Sequence, residues 1–125
     1  MAQSAGVRWL KISVVYLVIG VGLGIVMGVS QNHTLFPAHA HINLLGWVSL
    51  AVIGLVYRQF PEIAGNRLAT IQFWLHNVAL PITMLSLSGI LLGYRHLEPF
   101  VGIGSLLLGA SVVLFAVNVW KLASK

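Results

Sequence analysis

"FPAHAHINLLGWVSLAVIGLVYRQFP", residues 36–61, decides how the chain is read. Prolines bracket it. Pro37 stands where proline suits the start of a helix, and Pro61 stands just past the end. Between them the apolar run 38–58 has the roughly 20 residues needed to cross a bilayer core. The run opens with two histidines, His39 and His41, one residue apart. A membrane helix that starts with two imidazoles needs a chemical reason.

Three further runs of this kind flank it, at residues 9–29, 68–94 and 99–122. Little of the 125-residue chain is left over, so the reading is one all-α transmembrane domain, 1–125, with four spans. The composition agrees. Hydrophobic residues make up 58% of the chain and charged ones 7%, too little polar surface to clothe a soluble domain. The first run follows Arg8 and Lys11 like a secretory signal, but it is too long for one and has no small-residue cleavage site after it. It is read as a retained helix. Gly20, Gly24 and Gly28 fall four apart on it and form a close-packing face for another helix. Gly89 and Gly93 make a second face of this type on the third span. Pro81 lies inside that span and is expected to kink it, as membrane helices tolerate.

The net charge of +5 does not point to nucleic acid, because no basic stripe is interleaved with exposed aromatics. The basic residues sit instead at the ends of the apolar runs. Arg8 and Lys11 precede the first, Arg58 and Arg67 flank the second loop, and Lys121 and Lys125 close the chain. The first loop, "SQNHTLFP", is uncharged, and the third holds Arg95 beside Glu98. The positive-inside bias then puts both termini in the cytoplasm and the first and third loops outside, periplasmic in a bacterial inner membrane. The chain has no cysteine, which excludes iron–sulfur clusters, thiolate metal sites and thiol nucleophiles. With no aspartate and only Glu62 and Glu98, it also lacks the parts for paired-carboxylate or Ser–His–Asp chemistry.

What remains is histidine. Successive helical residues turn about 100°, so His39 and His41 point about 200° apart. They cannot chelate one ion; each serves a different flank of the helix. Asn43 shares the face of His39 and can hold its imidazole. Ionisable groups inside a membrane are costly and tend to mark sites, and neutral imidazole is the best haem or metal ligand this chain owns. His76 should lie roughly 15 Å below His41 by helical rise and bond a neighbouring helix. His33 reads as a solvated loop residue, and Met27 and Met84 as packing. Arg95, beside His96 at the outer boundary, suits a lipid phosphate or the carboxylates of a bound cofactor.

"HAH" at His39 and His41 resembles one third of the catalytic subunit of the haem–copper oxidases. That subunit arranges twelve helices as three groups of four. The second helix of its third group carries a His-x-His pair near the outer side, ligating two haems on opposite flanks, and arginines before the last helix hold haem propionates. The resemblance covers essentially the whole chain as one four-helix unit. It implies a homotrimer that regenerates the twelve-helix ring. Each haem b would take His39 from one chain and His41 from the next, with Arg95 and His96 near the propionates and Asn43, Trp47 and Phe36 beside the porphyrin. The family's paired copper ligands have no counterpart here, which favours haem over copper. The role implied is electron transfer, fed by an electron-donor protein or quinol. Two other classes stay open. If one imidazole does not ligate, the protein is a haem-dependent reductase or oxidase, or a protein that binds nitric oxide or oxygen. If neither does, it is a cofactor-free interaction or assembly protein.

Overall fold

A computed structural model describes residues 2–123; Lys125, one of the two C-terminal charges, lies outside them. All the regular elements among the described residues are helical. Helix α1 is Ala2–Ser30. The second span is composite: α2 (Phe36–His41), a π-helical stretch Ile42–Val48, and α3 (Ser49–Gln59). A short α4 (Pro61–Ala64) leads to α5 (Arg67–Leu91), and a 3-10 turn Arg95–Leu97 opens α6 (Glu98–Trp120). Four segments are long and apolar enough to cross a membrane: Ala5–Ser30, Phe36–Gln59, Arg67–Leu91 and Arg95–Trp120. The chain is an integral membrane bundle.

The first two spans pack by close approach. In lipid, helices gain little from hiding apolar surface from each other, so small residues that let backbones meet are favoured. A Cβ added at Gly6 would stand 2.6 Å from the Gly54 carbonyl oxygen. Gly46 likewise admits Tyr16, Gly20 admits Asn43 and Gly24 admits His39. The expected seam is therefore real at Gly20 and Gly24. Gly28, its third member, faces open space.

The Gly89–Gly93 face does not form. Helix α5 stops at Leu91, three residues before the expected end, because Gly93 takes φ 106°. Gly93 N–H donates to Ile90 O and Tyr94 N–H to Gly89 O, both at 2.9 Å, which is a Schellman closure. Gly93 is a helix terminator, and Gly89 makes room for Leu97. His96 joins Arg95 in the turn that opens the fourth span. At the other end of α5, Asn66 caps the helix by accepting from Ala69 N–H at 2.9 Å. Helix α5 runs on through Pro81.

A buried polar cluster joins the second span to α5 and α6 near that cap. Tyr57 Oη donates to Gln72 Oε1 at 2.5 Å. Asn118 Nδ2 donates to Ile63 O at 2.9 Å, and Asn118 Oδ1 accepts from Asn66 Nδ2 at 2.6 Å. Tyr57, Gln72 and Asn118 are fully enclosed. Trp9 of α1 closes the cluster's apolar side, edge-on to Phe73 at 5.3 Å and to His76 at 5.8 Å.

Candidate functional site

His39 and His41 both lie on α2, before the π stretch, where α-helical geometry sets their directions. His39 turns to α1. Its Nδ1 lies 2.8 Å from the carbonyl oxygen of Gly20. Its ring fills the notch left by Gly24, where an added Cβ would stand 2.9 Å from Cε1. Phe36 packs on it at a tilt, with centroids 6.2 Å apart. Asn43, one turn on, donates from Nδ2 to the His39 carbonyl at 2.9 Å and fills the notch of Gly20. Asn43 thus bonds the backbone of His39 rather than its imidazole, whose Nδ1 lies 3.4 Å from the same Nδ2.

His41 turns the other way. Its Nδ1 lies 2.7 Å from Pro37 O on its own helix. Its ring borders a groove of about 490 Å³ between the second span, α5 and α6, with Leu45, Thr83, Met84, Ser105 and Gly109 in its walls. The walls are apolar apart from His41 and the Thr83 and Ser105 hydroxyls.

The two imidazoles share one electronic state. A carbonyl oxygen only accepts, so Nδ1 carries a proton in both rings, and in a neutral ring the lone pair is then on Nε2. This is the tautomer a metal-ligating histidine adopts when a carbonyl orients it from behind. Neither Nε2 has a hydrogen-bond partner among the described residues. The buried side-chain polar atoms without partners there are Gln72 Nε2 and Asn77 Oδ1. His39 is half-buried and His41 is exposed. The two imidazoles thus leave one helix on opposed flanks, His39 toward α1 and His41 toward the groove. Among the described residues, no three His or Glu side chains converge on one point, so no chelating cage forms within a single chain.

The remaining candidates are spread out. Trp47 sits half-buried in the π stretch. Arg95 and His96 are exposed in the turn before α6, His96 edge-on to Tyr94 at 6.1 Å, and no hydrogen bond or ring contact joins them to the pair. His33 is exposed in the first loop. His76 is wholly enclosed. Its Nε2–H donates to Leu45 O at 3.1 Å, so its Nδ1 accepts from the Ser111 hydroxyl at 3.0 Å. The expected bond to a neighbouring helix is there. It falls on the turn just below His41, about 6 Å of rise away, nearer than the helical count suggested.

Haem fits this donor set. It asks for an imidazole ligand and an apolar wall for the macrocycle, and His41 with its groove offers both. No family model, curated protein or solved structure matches the chain.

Proposed function

We propose that the chain is a small b-type cytochrome of the bacterial inner membrane, with both termini cytoplasmic. It assembles as a homotrimer and binds haem at each subunit interface. His39 of one copy and His41 of the next would hold the haem iron, and Arg95 would meet its propionates. The observation that carries this reading is the opposed pair. Each ring is oriented through Nδ1 by a backbone carbonyl, and neither Nε2 has a hydrogen-bond partner among the described residues. A single chain cannot bring both lone pairs to one iron, whereas a closed ring of copies does so at every interface. The resemblance to one third of the haem–copper oxidase subunit supports the same arrangement.

Bound haem supplies a one-electron couple. The chain's residues do the rest: Gly20 O and Pro37 O orient the imidazoles, Gly24 makes room for the His39 ring, and the groove beside His41 would shield the macrocycle from water. Electron transfer is the role that two fixed axial ligands favour.

The test is an absorption spectrum of the detergent-purified protein, oxidised and reduced, beside His39→Ala and His41→Ala. A sharp reduced α-band in wild type that is lost or turns high-spin in both variants is expected. Loss in His41→Ala alone would indicate an iron with an open position, and so a ligand-binding haem. No band in folded wild type supplied with excess haem overturns the proposal.

A further inference from the structure

The second span is not one α-helix, and its irregular part lies between the histidine pair and the rest of the span. Residues Ile42–Val48 are π-helical. A π turn takes up one residue more than an α turn, and short π segments are rare and concentrate at functional sites. An extra residue is a rotation. Were the stretch to relax to α, everything before it would swing about 100° relative to everything after it. His39 would then leave the notch of Gly24, and His41 would leave its groove. Something must hold the π turn.

The lower half of the span is fixed independently. Gly54 is locked against Gly6, and Tyr57 is tied into the buried cluster. Within the π stretch, two side chains engage its carbonyls. Ser49 Oγ donates to Leu44 O at 2.7 Å. His76, from α5, donates Nε2–H to Leu45 O at 3.1 Å. The second bond comes from a different helix, and His76 cannot move away from it. Its ring is enclosed, its other nitrogen accepts from Ser111 on α6, and Trp9 of α1 packs edge-on against it. Elements from all four spans therefore meet at this imidazole.

We infer that His76 is a positioning residue: by clamping Leu45 O it holds the π turn, and the π turn sets the directions in which His39 and His41 point. The proposed haem site rests on those directions, but the clamp is a property of the apoprotein and is testable without haem.

The chain has no native cysteine, so Ala40→Cys, at an exposed position between the two histidines, accepts a single nitroxide label. Its collision rate with dissolved oxygen in lipid nanodiscs reports which way that face points. In wild type the label should be freely accessible. His76→Gln keeps an N–H donor and should match it. His76→Leu should let the turn relax and bury the label, cutting its accessibility severalfold. Deleting Leu44, which is exposed, from the His76→Leu chain removes the extra residue and should restore accessibility. If His76→Leu does not fold alone, the doubly altered chain decides: folding with the label accessible supports the clamp, and failure to fold overturns it. Unchanged accessibility in folded His76→Leu also overturns it. Haem spectra of the same samples separate the two claims. A label that moves in a protein that never binds haem upholds the clamp and sinks the cytochrome. A haem band that appears while the label stays put does the reverse.

Discussion

Replacing Gly24 by alanine adds one carbon at the point where His39 rests, and the result depends on how two opposed energies compare. The new Cβ would lie 2.9 Å from His39 Cε1, 3.5 Å from Nδ1 and 3.6 Å from Nε2. The first distance is below van der Waals contact. The ring is the far end of a rotatable side chain, so it moves rather than the backbone, and its 2.8 Å contact with Gly20 O opens. That hydrogen bond is worth about 0.5–1.5 kcal/mol net. Alanine in a helix interior regains about 0.5–1 kcal/mol over glycine. The two nearly cancel, so bundle stability should change by less than about 1 kcal/mol. Ligand orientation has no such offset. Losing the group that orients a metal-bound histidine typically costs 10–100-fold in affinity. Gly24→Ala should therefore unfold at nearly the wild-type denaturant concentration while needing about 10–100-fold more haem for half-saturation. The assay is haem titration followed by absorption, alongside unfolding in SDS. Gly28→Ala, where an added Cβ meets nothing, is the control and should bind normally. Equal haem affinity in Gly24→Ala and Gly28→Ala would refute the claim that the His39 notch orients a ligand.

Gly109 lines the His41 groove and also faces open space, so Gly109→Leu should fold normally yet exclude haem, seen as a colourless oligomer of unchanged elution volume. Asn118→Leu strands Asn66 Nδ2 and the Ile63 carbonyl in the interior and should cost about 1–3 kcal/mol in SDS unfolding, with little change in the spectrum of whatever haem is bound. Gly93→Ala forces a side chain into φ 106° and should destabilise by about 1–3 kcal/mol, measured the same way, through fraying of the turn between α5 and α6.

The four spans were legible because a bilayer imposes length and hydropathy, and both are written directly in the residues. The opposed directions of His39 and His41 were legible for a similar reason: two positions on an α-helix fix an angle before any tertiary contact is known. The Asn43 contact followed from the same rule. The misreading of Gly93 came from treating spacing as sufficient. A glycine four residues after another is a packing face inside a helix and a terminator at its end, and the deciding factor, a positive φ, has no mark in the local pattern. The π turn was illegible as well. "INLLGWV" is apolar and continuous with the helix on either side, and its extra residue is tied down by His76 and Ser111, which are distant in sequence. The groove beside His41 draws its walls from three spans, so no single segment announces it.

The glycine seam between the first two spans also has an evolutionary consequence. Glycine has no smaller replacement, so every change at such a codon can only add volume. Gly6, Gly46 and Gly54, where an added Cβ would come within 3 Å of backbone atoms or of the Tyr16 Cβ and Cγ, have nowhere to drift, whereas at Gly20 and Gly24 the neighbour is the movable end of a side chain. Gly22, Gly28 and Gly102 meet nothing and are free to vary. A library of random variants sorted only for membrane expression should thus be depleted at the three crowded positions and neutral at the three open ones. The interhelical seam would then be readable from sequence diversity alone, as a set of positions where variation stops.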